Sequence, residues 1–339
     1  MIGTKSLMTR EESTAMKGLL MVLIVLCHNA LLNNSLVDGS LLPHRRFIYL
    51  FHSTCFFILP IMYGYTYKYG VEHRWRNIID YTWRNFVRCW VPYTWFFFLI
   101  VCVCLFLNRE LSLSEIMNAY IIGTPSILSS SIHNIFLWFL PSMFAVSLIK
   151  TCWYNSIKCV KFIVVLLGMA LMTICILGKT KSVYLLENNI PFSLVLGLRF
   201  FTIAFLVRGI IEWFGKITVM IACSCFLVIF TLLFFINNNV DLTSILRWLM
   251  PISVFPLLYY SRTFLIRAQL LITIGKYSLY IYLTHIFVYY LVNPLLLLFF
   301  TNSYYLGIIS FIITLTISIG VSYLIDNSKL IKKLLFARS

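Results

Sequence analysis

From the N-terminus onward the chain alternates long apolar runs with short polar stretches, beginning with "MKGLLMVLIVLCHNALL" at Met16 to Leu32. Runs of this kind approach the roughly 20 apolar residues that an α-helix needs to cross a hydrocarbon core. Ten segments are predicted to do so: Lys17–Leu36, Phe47–Tyr65, Val91–Leu107, Ile135–Ile149, Val160–Leu177, Phe192–Ile211, Ile217–Ile236, Leu246–Tyr260, Leu270–Val292 and Tyr304–Ile325. The eighth is short and interrupted by Pro251 and Pro256, residues a spanning helix tolerates only where neighbours re-satisfy the freed backbone groups. The links are short, and no internal repeat or Gly/Ser-rich linker divides them. Residues 1–339 therefore read as a single integral membrane domain, with a short N-terminal segment 1–16 and a basic tail 326–339. The predicted fold class is all-α, a polytopic transmembrane helix bundle of about ten spans.

Charge orients that bundle, because Lys and Arg are held on the cytoplasmic side during insertion. With the N-terminus inside, the cytoplasmic segments carry 19 of the 27 Lys and Arg and the outer loops 6, while Arg199 and Lys276 fall inside spans. Both termini are expected in the cytoplasm. The first span has the charged start of a secretory signal but no A-x-A-like cleavage site, so a retained helix is expected. Composition agrees with the class: 61% hydrophobic and 11% charged residues exclude an ordinary soluble domain. The net charge of +16 fits positive-inside loops and contact with anionic membrane lipid. No basic tail with interleaved aromatics accompanies it, which excludes nucleic acid as a partner. The ten cysteines are scattered through apolar runs such as "VCVCLF" and "ACSCF" without a C-x-x-C pair. Core packing is their expected role, and no metal site is predicted.

An ionisable group at membrane depth is costly and therefore a functional candidate. Lys17 and His28 lie eleven residues apart, close to three helical turns, so both project from nearly one face about 16 Å apart along the axis. The plainer alternative is a Lys17 that snorkels to the inner headgroups and a His28 satisfied by one interhelical hydrogen bond. The ninth span, "IGKYSLYIYLTHIFV", adds a second deep histidine, His285, nine residues beyond Lys276. On the cytoplasmic side "WRNFVRCWVPY" sets Arg84 and Arg88 four apart, on one face if helical, before Pro92 opens the third span. Such a pair suits phosphate, or is ordinary positive-inside charge.

These residues together resemble the acyltransferase 3 family of ten-span membrane acyltransferases. "ESTAMKGLLMVLIVLCHN" is similar to the family's first span, whose basic residue, ten intervening residues and histidine match Lys17 and His28, with Lys where many members have Arg. "RNFVRCWVPY" resembles its arginine-rich approach to the third span, matching Arg84, Arg88 and Pro92. "LWFLPSMF" resembles the Trp-Phe-Leu element of the fourth. "IGKYSLYIYLTH" resembles a Gly-x-x-Ser-x-x-x-Tyr-Leu-x-His element, matching Gly275, Ser278, Tyr282 and His285. One departure stands out: the second span of the family commonly ends Phe-Phe-x-x-Ser-Gly, whereas "CFFILPIMYGY" has Tyr63 before Gly64.

The resemblance implies an O-acyltransferase of the cell inner (plasma) membrane. Such an enzyme moves an acyl group, most often acetyl from acetyl-coenzyme A, to a sugar hydroxyl of an envelope polysaccharide, such as an O-antigen, or of its lipid-linked precursor. Acyl-coenzyme A is then a donor substrate, the carbohydrate is the acceptor, and no tightly bound cofactor is expected. On this reading Arg84, Arg88 and Lys17 meet the donor's phosphates. His28 acts as general base on the acceptor hydroxyl or carries the acyl group itself. Arg199 either lines the internal cavity or pairs with a neighbour, and Tyr63, Trp138, Ser278 and His285 are candidates for the substrate cavity. The only carboxylates expected near spans are Glu212 and Asp326, at span ends, so a carboxylate orienting His28 is not expected. A transporter or flippase of lipid-linked glycans, or a glycan polymerase, is the alternative class. Neither the repeated halves common in transporters nor a long outer loop is evident.

Overall fold

The computed structural model describes residues 8–29, 36–37, 40–41, 58, 75–106, 110–132, 136–176, 180–236, 240–300 and 304–336. Apart from short turns and links they are helical, with one antiparallel pairing of two-residue strands, β1 (Leu36–Val37) with β2 (Ser40–Leu41), in register Leu36 opposite Leu41. Two compact units form: residues 7–59 with 213–329, and residues 60–212 with the two chain ends.

The first unit contains α1 (Arg10–Cys27), whose start is fixed by a capping box: Thr9 accepts from the Glu12 backbone N–H, and the Glu12 carboxylate accepts from that of Thr9. The second unit follows in sequence with α2 (Trp75–Phe106), α3 (Leu113–Ile122), α4 (Pro125–Ile132), α5 (Phe139–Asn155), α6 (Lys158–Ile176), α7 (Thr180–Asn189) and α8 (Leu194–Trp213). The chain then returns to the first unit with α9 (Lys216–Ile236), α10 (Val240–Leu265), α11 (Gln269–Lys276), α12 (Ser278–Phe299) and α13 (Tyr304–Asn327), and ends in α14 (Lys329–Phe336).

Among the described residues five helices are long and apolar enough to cross a membrane: Ile79–Phe106, Pro191–Trp213, Lys216–Leu233, Ser278–Phe299 and Tyr305–Asn327. A sixth is added if Leu249–Leu265 and Gln269–Lys276, which meet at 115°, form one broken span. This differs from the ten expected, for identifiable reasons. The expected second span lies outside the described residues except for Ile58. α1 carries Arg10, Glu11, Glu12 and Lys17 in its first half, so only ten residues, Gly18 to Cys27, are free of charge. The apolar part of α5, Phe139–Trp153, is shorter than a full crossing.

Three further boundaries are corrected. Pro92 does not open a helix; it sits inside α2, where it leaves the Arg88 carbonyl without its i+4 amide donor. Pro251 and Pro256 do not break α10. The expected ninth span is two helices, divided at Tyr277.

Packing explains the break. In the first unit α11 crosses α1 at Gly18 and Gly275, and a Cβ on either would collide with backbone of the facing helix, the Leu271 carbonyl or the Thr14 carbonyl. Only glycine permits this approach. Arg262 of α10 reaches Glu12 of α1 at 3.2 Å and lies over the Tyr259 ring. α12 and α13 pack as neighbours, and α13 turns Ser310, Thr314, Ser318 and Ser322, spaced by one turn, fully inward. α9 does the opposite: 11% of its apolar window is buried, leaving Ile217, Ile221, Phe226 and Ile229 as a lipid-facing surface.

In the second unit Leu171, Val183, Val195 and Leu198 join α6, α7 and α8 in one apolar cluster. Trp90, Tyr93, Phe97 and Tyr120 bind α2 to α3, with the Trp90 indole N–H donating to the Tyr120 hydroxyl at 2.9 Å.

Candidate active site

The site is built where α1 stops. Its last residue is Cys27, and His28 is the C-cap, so the ring is carried at a helix terminus and not in mid-span as the apolar run to Leu36 suggests. Three contacts from distant sequence fix that terminus. The Tyr289 hydroxyl on α12 donates to the Val25 carbonyl at 2.9 Å, supplying a donor to the last turn. The Asn29 side-chain amide donates to the Gly307 carbonyl of α13 at 2.6 Å, tying the residue after the cap to a second helix. His28 Nδ1 itself lies 2.7 Å from Nε2 of His285 on α12.

His285 is fully buried, and its Nδ1 sits 2.9 Å from the Ile281 carbonyl one turn earlier. Tyr282 and Tyr289 flank its ring, with centroids 6.1 and 6.4 Å away. Asn293, two turns beyond, accepts from the Ser310 hydroxyl at 2.5 Å and ties α12 to α13. Three helices therefore hold the imidazole pair through side chains that are themselves buried or bonded. The arrangement can accept a proton at His28 and spread the resulting charge into a second ring.

The other expected residues fall as follows. Lys17 is half-buried on α1 beside the Gly18 crossing, three turns from His28. Ser278 opens α12, half-buried, two turns before His285. In the second unit, Arg84 and Arg88 are exposed, four apart on α2, and Arg84 Nε donates to the Asp80 carbonyl at 3.2 Å. Trp138, just before α5, is buried and stacks on Phe200 at 6.1 Å between centroids. Tyr63 lies outside the described residues.

Arg199 takes the paired alternative: it is 2% exposed, and its Nη1 meets Glu187 Oε1 at 2.5 Å. The expectation that Glu212 and Asp326 are the only carboxylates near spans is thereby corrected. Burial pushes the Glu187 carboxyl up, and the Arg199 guanidinium beside it works in the opposite direction. Glu187 carries no signal in the sequence, because α7 is a short polar helix with the composition of an outer loop. Tyr289 had a signal, standing one turn after His285 on the same face. Asn29 had none. Among the described residues, no three His, Cys, Asp or Glu side chains gather in a way that would hold a metal ion.

Five helices long and apolar enough to cross a membrane, with a hydrogen-bonded imidazole pair held between α1 and α12 of the first unit, define a multi-pass membrane protein with a polar site among its helices. The family model described as an acyltransferase domain, acyltransferase 3, matches residues 11–326, and the chain belongs to that family. The match contains both histidines. No curated protein and no solved structure matches the chain.

Proposed function

We propose that this membrane acyltransferase moves an acetyl group from cytoplasmic acetyl-coenzyme A to a sugar hydroxyl of an envelope polysaccharide or its lipid-linked precursor, at the inner membrane. The observation that carries the reading is the 2.7 Å contact of His28 with His285 at the end of α1, in a chain of the acyltransferase 3 family. From Gly18 to Cys27 the helix rises about 15 Å, half of a hydrocarbon core of about 30 Å. With Lys17 at the cytoplasmic boundary, His28 stands near mid-membrane, where a cytoplasmic donor and an outer acceptor can meet.

In the reaction the acceptor hydroxyl gives its proton to His28 while its oxygen bonds to the acyl carbon. The carbon–sulfur bond of the thioester breaks, the electron pair leaves with sulfur, and the thiolate takes the proton back to depart as free thiol. Arg84 and Arg88, exposed and on one face of α2, supply positive charge for the donor's phosphates. Lys17 adds charge on the His28 face of α1.

Proton NMR of the surface polysaccharide from cells with and without the gene tests the reading, through the O-acetyl methyl signals. Loss of those signals on gene deletion, and in a His28→Ala variant that inserts normally, is expected. The base contributes roughly 10²- to 10⁴-fold to the rate. Unchanged acetylation with altered chain length or export would assign the protein instead to glycan transport or polymerisation.

A further inference from the structure

We propose that His285 is the positioning residue that sets the tautomer of His28, leaving Nε2 of His28 as the nitrogen that receives the acceptor's proton. The proposal rests on the general-base reading above and adds to it which atom acts and what holds it ready.

A carbonyl oxygen can only accept, so the 2.9 Å contact with Ile281 puts a hydrogen on His285 Nδ1. In the neutral ring Nε2 is then a lone pair. His28 Nδ1 lies 2.7 Å from it, and two lone pairs cannot face each other at that distance, so His28 Nδ1 carries the next hydrogen. The remaining lone pair of His28 is on Nε2.

Ring geometry supports a directed bond. The planes differ by 8° and the centroids are 5.0 Å apart, the separation expected when two imidazoles 2.7 Å apart at nitrogen meet edge to edge in one plane. Face-to-face rings at that nitrogen distance would have closer centroids.

The order is therefore Ile281 carbonyl, His285, His28, acceptor. It performs the orienting task of the carboxylate in a Ser-His-Asp triad, with a main-chain carbonyl at its far end. When Nε2 of His28 takes a proton, its Nδ1–H bond to His285 becomes charge-assisted and strengthens. Tyr289, which also holds the end of α1, limits how far the two rings can separate.

The test uses the full-length protein in lipid nanodiscs with ¹⁵N-labelled histidine, the His28 signals being assigned by their absence in His28→Asn. In the wild type, near neutral pH, His28 is expected to be protonated at Nδ1 and bare at Nε2. His285→Leu removes the acceptor and is expected to give a mixture of His28 tautomers, with kcat down roughly 10²-fold and KM little changed. His285→Gln, which can place its side-chain oxygen near the lost Nε2, is expected to restore the wild-type tautomer and most of kcat.

A hydrogen on Nε2 of neutral wild-type His28 overturns the proposal, as does an unchanged tautomer in His285→Leu. Equal loss of kcat in the Leu and Gln variants also overturns it, since that pattern belongs to a packing role. If His285→Leu does not fold, the wild type and His285→Gln still decide. The tautomer is read without any turnover, so absence of acyl transfer would count against the proposed function and leave this result intact.

Discussion

A guanidinium sealed from water inside an apolar bundle needs an anion, and Arg199 has Glu187 at 2.5 Å. Removing one partner leaves the other buried and unbalanced. Glu187→Gln is therefore expected to destabilise the second unit by about 3 kcal/mol, whereas replacing both residues by apolar ones of similar volume should come close to neutral. Thermal unfolding in detergent checks this; a Glu187→Gln protein as stable as the wild type would show that the pair does not hold α7 to α8. The pair also shows the limit of what residue patterns reveal about the site. His28 and His285 are legible in the sequence because a histidine in an apolar run is conspicuous in itself. Their direct contact is not, since it joins residues 257 apart, and Glu187 is not, because nothing in "TKSVYLLENN" distinguishes a carboxylate that turns inward from one in solvent.

At the scale of elements, the α1–α11 crossing sets the position of everything after it, because Tyr277 alone separates α11 from α12. Gly275 has backbone of α1 against it, the Gly18 nitrogen lying 3.0 Å from where a Cβ would stand. A Gly275→Ala side chain must push α11 away, at a cost of about 1–3 kcal/mol for overpacking. Because α12 follows directly, the shift also carries His285 away from His28, so activity is expected to fall along with the melting temperature. Gly320 is the control: a Cβ there meets nothing within 4 Å, so Gly320→Ala should leave activity alone and gain up to about 1 kcal/mol in helix propensity. Equal stability of the two variants would mean that the crossing is not tight. The same crossing explains which parts of the fold were legible. Helices could be read because apolar length signals them directly. The break at Tyr277 could not, because "ITIGKYSLYIYL" stays apolar through it, and the cause is the backbone of a helix more than 250 residues earlier. The end of α1 was hidden for a similar reason, its stop being set by Tyr289 and Gly307.

For the whole molecule, the proposed reaction requires opposite faces of the membrane to supply donor and acceptor, so the direction of each crossing is a functional quantity. The Lys and Arg distribution predicts the residues around 110 outside and those around 158 inside, and α5 lies between them in sequence from Phe139 to Asn155. Both ends of that stretch offer exposed residues, Glu110 just before α3 and Lys158 at the start of α6. In a cysteine-free background, Glu110→Cys is expected to react with a membrane-impermeant maleimide on intact cells, and Lys158→Cys only after the membrane is opened. The opposite pattern would put Arg84 and Arg88, which precede Glu110 by the length of α2, on the outer face. They could not then meet a cytoplasmic coenzyme A, and the donor's phosphates would need another cationic surface. Labelling of both positions from one side would mean that α5, whose apolar part is shorter than a full crossing, does not traverse the membrane between them.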